Sequence, residues 1–151
     1  MKTTLLYVFA GLLSAAGCHS KTDDPAPAAS TPAPAAAPFP SLLTAGPWII
    51  TSYTEATEDK TAAFKNYVFT FADPGSSTAT QGNDTTPGTW TWGGNSYYGT
   101  PADSKTLVLN YGTRQPLTRI SRSWIIKSAT STAIVLDSSN PAEQQHLTLS
   151  R

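Results

Sequence analysis

The chain has 151 residues, with ten Lys plus Arg against ten Asp plus Glu, one cysteine and two histidines. A formal charge of zero gives no general field for nucleic acid or for an anionic surface, so nucleic-acid binding is not expected. One cysteine excludes an internal disulfide and a multi-thiolate zinc site, and two histidines build no His-rich centre, so neither metal nor cofactor is expected.

The chain opens with Lys2 and the apolar run from Leu5 to Leu13, too short to span a bilayer, which takes a helix of ~20 residues. His19, Ser20, Lys21, Asp23 and Asp24 follow, so a span would have to draw charge into hydrocarbon. Between them stands Leu12-Leu13-Ser14-Ala15-Ala16-Gly17-Cys18, whose small residues let a peptidase approach the backbone just before the cysteine. This stretch resembles a bacterial lipobox. The resemblance implies a signal peptide over 1–17, cleavage before Cys18, and diacylglycerol on the Cys18 thiol. That lipid anchors the mature chain in the cell envelope, at the outer membrane, facing either the periplasm or the surface. The other reading is an ordinary secretory signal cut at Ala16 or Gly17, which leaves Cys18 a free thiol. Loss of Lys2 with the leader makes the mature charge −1.

Residues 18–40 are expected to be a tether. Lys21 to Pro40 has six Pro and seven Ala in twenty residues, a composition that neither packs a core nor continues a helix. As polyproline II at ~3.1 Å per residue it reaches ~60 Å. Lys21-Thr22-Asp23-Asp24 is similar to the Lys-plus-acidic export signal that follows the acylated cysteine in bacteroidete surface lipoproteins. Two aspartates that merely keep the tether solvated explain it equally simply.

From Trp48 the pattern turns to period two, with Gly, Pro, Asn and Asp punctuation. Residues 41–151 are therefore expected to form one all-β domain, and no segment shows a helical period. Strands are predicted at Trp48 to Glu55, Lys65 to Ala72, Ser76 to Thr80, Gly88 to Trp92, Lys105 to Tyr111, Ile120 to Ser128, Ala133 to Asp137 and His146 to Ser150. Short connections favour antiparallel pairing. Alternation places Tyr67, Phe69 and Phe71 on one face, and likewise Trp90 and Trp92; Leu107, Leu109 and Tyr111; Trp124 and Ile126; Ile134 and Leu136; Leu147 and Leu149. Val68, Val108, Ile125 and Val135 break the rule, as a second contact surface or as β-formers on a partly exposed face. About eight such strands make a barrel or a sandwich, and the pattern does not choose.

Gly46-Pro47-Trp48 resembles the Gly-x-Trp that opens the first strand of lipocalins, where the Trp closes the barrel floor. With Asp59-Lys60-Thr61, Tyr67-Val68-Phe69-Thr70-Phe71, the Pro74-Gly75 turn, Gly88-Thr89-Trp90, Trp124-Ile125-Ile126 and Leu147-Thr148-Leu149 in order, the region Leu42 to Arg151 looks like the lipocalin-like domain of small bacteroidete lipoproteins. The resemblance implies an up-and-down barrel or a shortened relative. The chain departs from it in lacking a C-terminal helix. None of Arg119, Arg122 and Arg151 sits in a recognisable late Arg motif that would stack on the floor Trp.

Residues that could carry chemistry are sparse. His146 and Asp137 can be written into a Ser-His-Asp set, but no Gly-x-Ser-x-Gly turn presents a nucleophile, and a strand-end histidine is the simpler reading. Glu55, Glu58 and Asp59 crowd the first long loop, where two carboxylates can pair as acid and base for glycoside hydrolysis, but a solvated hairpin tip beside Lys60 is the simpler reading. No catalytic residue is expected, and the chain reads as a non-enzyme. Trp92, Tyr97 and Tyr98, around the Gly93-Gly94-Asn95 turn, form the candidate ligand cluster, since aromatic rings at a loop end can line an apolar mouth or stack on a sugar. The alternative is that Trp90 and Trp92 are core and the tyrosines cover the barrel end. Asp84-Thr85-Thr86, placed in a polar loop, is similar to a bacteroidete O-glycosylation motif with Thr85 as acceptor. The leading expectation is a monomeric, lipid-anchored protein that binds a small apolar or amphiphilic ligand. The competing one is a structural or interaction module that docks on another envelope protein.

Overall fold

The structure is a computed structural model that describes residues 38–93 and 105–151. Cys18, the tether before Pro38, the Gly94-Asn95 part of the predicted turn, Tyr97 and Tyr98 lie outside them. The described residues make one compact unit.

The chain enters through α1 (Phe39–Thr44), one and a half turns that sequence periodicity is too short to reveal. Phe39 and Pro40, which composition assigns to the tether, belong to it. Pro40 sits in the first turn, where its missing N–H costs nothing. Phe39 and Leu43 are buried, and the Trp48 indole N–H donates to the Leu43 carbonyl at 2.8 Å, which satisfies one of the helix-end acceptors.

Among the described residues nine strands follow: β1 (Ile49–Glu55), β2 (Glu58–Asp59), β3 (Tyr67–Ala72), β4 (Ser76–Gln81), β5 (Asp84–Gly93), β6 (Thr106–Asn110), β7 (Ser123–Ala129), β8 (Ala133–Ser138) and β9 (Gln145–Ser150). All eight predicted strands are present, and the two-residue β2 is the addition. Every ladder is antiparallel, and the strands form one sheet in the order β2-β1-β9-β8-β7-β6-β5-β4-β3. The sheet is a meander apart from β1, which pairs with β9.

That order is open, but the sheet curls until its ends touch. Trp48, just before β1, exchanges both backbone hydrogen bonds with Phe69 of β3, each 2.8 Å. Continuing this antiparallel register would set Ile50 opposite Tyr67, yet no ladder forms there. A 3₁₀ turn at Thr61–Phe64 intervenes and buries the Phe64 ring, edge-on to Tyr53 at 5.2 Å and to Tyr67 at 6.4 Å.

The sequence alternation reads the inner face correctly. Tyr67, Phe69, Phe71, Trp90, Leu107, Leu109, Tyr111, Trp124, Ile134, Leu136, Leu147 and Leu149 are all buried, whereas Val68 and Val108 are exposed. Ile126 is only partly buried, next to an irregularity in the β7–β8 register between Ile126 and Ser128. Two expectations change. Trp92 shares its face with Trp90 but lies beyond the core at the strand end, with 38% of its surface exposed. Asp84-Thr85-Thr86 is no loop: β5 runs through it, pairing Thr85 with Thr80 and even Pro87 with Thr78. β6 accompanies β5 only from Thr89 to Gly93, so the proline sits where β5 has one neighbour, the position in which a missing N–H is tolerated. Of the turns, Gly75 adopts a positive φ of 77°, and a Cβ there would approach the Trp90 carbonyl oxygen to 2.8 Å, so only glycine fits.

Candidate functional site

A run of aromatic rings packs through the interior. Trp124 packs edge-on to Tyr53 at 6.4 Å, Tyr53 to Phe64, Phe64 to Tyr67, Tyr67 stacks on Phe69 at 6.0 Å, and Phe69 meets Tyr111 edge-on at 5.8 Å. Trp48, Tyr53, Phe64, Phe69 and Trp124 each keep 1% or less of their surface. Aromatic side chains carry the largest volume per strand position, so a sheet of this size is occupied from within.

One floor contact was not legible in the sequence. The Arg151 guanidinium carbon lies 4.7 Å from the Trp48 ring centroid, a cation–π arrangement supplied without any recognisable motif. Gly46 makes room for it, because a Cβ there would stand 3.3 Å from Arg151 Nη1. The Arg151 Nε–H also donates to the Ser131 carbonyl, and its backbone N–H to that of Thr132.

Of the predicted aromatic cluster, the described residues contain Trp92. Its ring stacks on Phe39 at 6.3 Å and 23°, and Lys105 Nζ lies 5.7 Å from its centroid. The end of the sheet carrying Trp92 is therefore the end at which α1 enters. Thr85 is exposed on β5, its hydroxyl 3.3 Å from that of Thr80.

Among the described residues, two open grooves stand out on the surface. A notch of about 450 Å³ lies where β1 and β3 diverge, lined by Ile49, Ile50, Phe64, Lys65, Tyr67 and Val68 among others. The second, of about 430 Å³, lies against β8 and β9 and is lined by Ala56, Ile125, Asp137, Asn140, Gln144 and His146 with their neighbours. Register explains the second. Ile125, Asp137, His146 and Thr54 are consecutive partners across β7, β8, β9 and β1, so they form one row on the outer face. A 3₁₀ turn at Pro141–Glu143 walls the row on one side. Asp137 Oδ1 is 2.7 Å from His146 Nδ1, and Asp137 Oδ2 is 3.7 Å from Lys127 Nζ. A carboxylate only accepts, so Nδ1 carries a proton, and Nε2 has no hydrogen-bond partner among the described residues. The sequence could write the two residues into one set, and the β8–β9 register is what places them side by side.

Behind this groove a polar cluster ties the loops to the strand ends. The Tyr53 hydroxyl donates to Glu55 Oε1 at 2.6 Å, and Arg119 Nη1 donates to Glu55 Oε2 at 2.7 Å. Burial, followed by the bond to Glu55, raises the Tyr53 phenol pKa, while the same bond and Arg119 hold the Glu55 carboxyl below its usual range. Arg122 Nη1 donates to both Glu143 and Gln145, and the Ser138 hydroxyl donates to Glu143 Oε2 at 2.7 Å. Glu55 is thus part of a structural cross-link. Glu58 and Asp59, which the sequence reading put in the same loop tip, form β2 and stay exposed. Among the described residues no three of His, Cys, Asp and Glu are grouped to hold a metal ion, and no helix is long and apolar enough to cross a membrane.

Comparison with known proteins gives one similarity of fold. The chain is similar to a DUF4847 family protein from Bacteroides vulgatus, whose crystal structure was solved at 1.00 Å, with a TM-score of 0.53 over 75% of this chain and 96% of that one. At 14% identity the likeness is one of fold alone. No protein-family model matches the chain, and no curated protein does.

Proposed function

We propose that this chain is a lipid-anchored lipoprotein of the bacterial cell envelope, at the outer membrane, whose lipocalin-like β domain is non-catalytic and recognises a partner protein on its outside. The single observation that carries this reading is the run of buried rings through the interior. A barrel that holds an apolar ligand needs empty space, and the rings from Trp124 through Phe69 to Tyr111 occupy it. The lipobox-like ending at Cys18 and the Pro-rich stretch after it support an anchored domain held away from the bilayer. The lipocalin-like part is supported by the antiparallel meander and by Trp48 lying under an arginine, and the Bacteroides origin of the structural neighbour agrees with a bacteroidete lipoprotein. Mass spectrometry of the mature wild-type chain tests the anchor, with diacylglycerol expected on Cys18 and none on the Cys18→Ser variant; an unmodified Cys18 thiol refutes it. Cross-linking in the envelope, followed by pull-down with the full chain, tests the docking.

A second reading rests on Trp92, a large ring left exposed, backed by Phe39 and flanked by Lys105. An amphiphilic ligand would place its apolar part on that ring and its anionic head near the lysine. Saturable change in tryptophan emission with a fatty acid, abolished in Trp92→Ala, decides for this reading over docking.

A further inference from the structure

We infer that the groove against β8 and β9 is a binding site for a short neutral glycan, an inference that stands whether or not the chain is lipidated or docks on a protein. The rim is built at a conformational cost. Ala56 and Gln144 both hold left-handed backbone, with φ of 52° and 47°, and the Ala56 N–H donates to the Gln144 carbonyl at 2.9 Å. Non-glycine residues adopt this region sparingly, and two of them facing each other across one groove mark a shaped rim. At about 430 Å³ the groove is within the usual size of a small-molecule cleft, ~300 to 1,000 Å³.

Two of its polar groups, His146 and Asn140, are oriented before any ligand arrives. Asp137 lies beside Lys127 and orients His146 through Nδ1, which leaves Nε2 available to a ligand. Asn140 Oδ1 accepts from the Ala142 N–H at 3.2 Å, so its Nδ2 donors have no partner among the described residues. Gln144 adds a second amide, and Pro141 and Ile125 add apolar surface.

Charge and topology then select the ligand class. Asp137 is paired with both Lys127 and His146, so no charged side chain lining the groove stands without a partner to draw an anion or a cation. β8 is paired on both sides, with β7 and β9, so no strand edge is available to hydrogen-bond a peptide backbone. Recognition must come from planar side-chain groups that offer acceptors and donors together. Sugar hydroxyls, each both donor and acceptor, match that set, and the C–H face of a pyranose matches Pro141 and Ile125.

The test is titration of the isotope-labelled full chain with cellobiose, maltotriose and chitobiose, following backbone amide and imidazole resonances. Saturable shifts are expected at Ala56, Ile125, Asn140, Gln144 and His146 with at least one sugar. His146→Ala and Asp137→Asn should each weaken that binding roughly three- to tenfold, the loss of one or two hydrogen bonds, while Trp92→Ala leaves it unchanged. Spectra of the variants without sugar establish that they remain folded, and Gln144→Ala provides a second rim variant if either does not. No saturable shift with any of the three sugars overturns the proposal. So does binding that all three groove variants leave intact, or saturation of these resonances by a neutral Gly/Ser/Asn peptide and by no sugar.

Discussion

Replacing Phe69 with alanine should remove a large share of the stability of this fold. Phe69 keeps 1% of its surface, stacks on Tyr67 at 6.0 Å and 26°, and meets Tyr111 at 5.8 Å and 68°. Its backbone bonds to Trp48 do not involve the side chain, so the bridge survives and the loss is that of the ring and of the cavity left behind. Such truncations cost ~3 to 5 kcal/mol, against a total of ~5 to 15 kcal/mol for a domain of this size. With a urea slope of ~1 to 3 kcal/mol per molar, a loss of ~4 kcal/mol lowers the midpoint by roughly 1.5 to 4 M. Thr70, the next residue, points to solvent, and Thr70→Ala should cost under ~1 kcal/mol. Urea unfolding of the full chain, followed by tryptophan emission, measures both. Equal losses at the two positions would refute the inward register of β3 and with it the run of buried rings.

Gly88→Ala should destabilise by ~1 to 3 kcal/mol, because the added Cβ would meet Tyr111 Cε1 at 2.6 Å and the Asn110 carbonyl at 2.8 Å, whereas Gly93→Ala, with nothing within 4 Å, should stay within ~0.5 kcal/mol; urea midpoints compare them. Arg151→Ala should cost ~0.5 to 2 kcal/mol through the lost cation over Trp48, and Arg151→Lys should recover part of it; a loss absent from both variants would dissociate the contact from stability. Burial pushes the Tyr111 phenol up to about 12 and leaves its hydroxyl without a hydrogen-bond partner. Ionisation is thus disfavoured in the folded chain, so this group leaves stability unchanged below the unfolded value near 10 and lowers it as pH rises toward 12, by on the order of 3 kcal/mol. Tyr111→Phe should be neutral or stabilising at pH 7 and should flatten that alkaline decline in thermal melts. Glu55 behaves in the opposite sense: its carboxyl is held below the usual range, so the stability it provides is present above the unfolded value and fades as pH falls through the folded one. Glu55→Gln should lower stability at pH 7 and narrow its gap from wild type below pH ~4, as read by melts across that range.

The sequence by itself determined the class of fold, all eight strands of ordinary length, and the side of each that faces inward. Those features are local: a period of two exposes Tyr67, Phe69 and Phe71 to the same environment wherever the strand goes, and Pro, Gly and Asn stop it. It also held the lipobox-like ending at Cys18 and the Pro-rich composition, which need no fold to be read. Tertiary structure decided what depends on distant partners. Pairing with β4 drew Asp84 to Pro87 into a strand despite their turn composition, and the end of the core left Trp92 exposed although its face was correctly read. A bridge between residues 48 and 69 curled the sheet, and the Phe64 ring kept it from closing. Asp137 and His146 became a pair through the β8–β9 register, and Arg151 reached Trp48 across the whole domain. Contacts of that kind join residues whose chemistry is visible in the chain but whose proximity is set by the packing of every strand between them, and no local period encodes it.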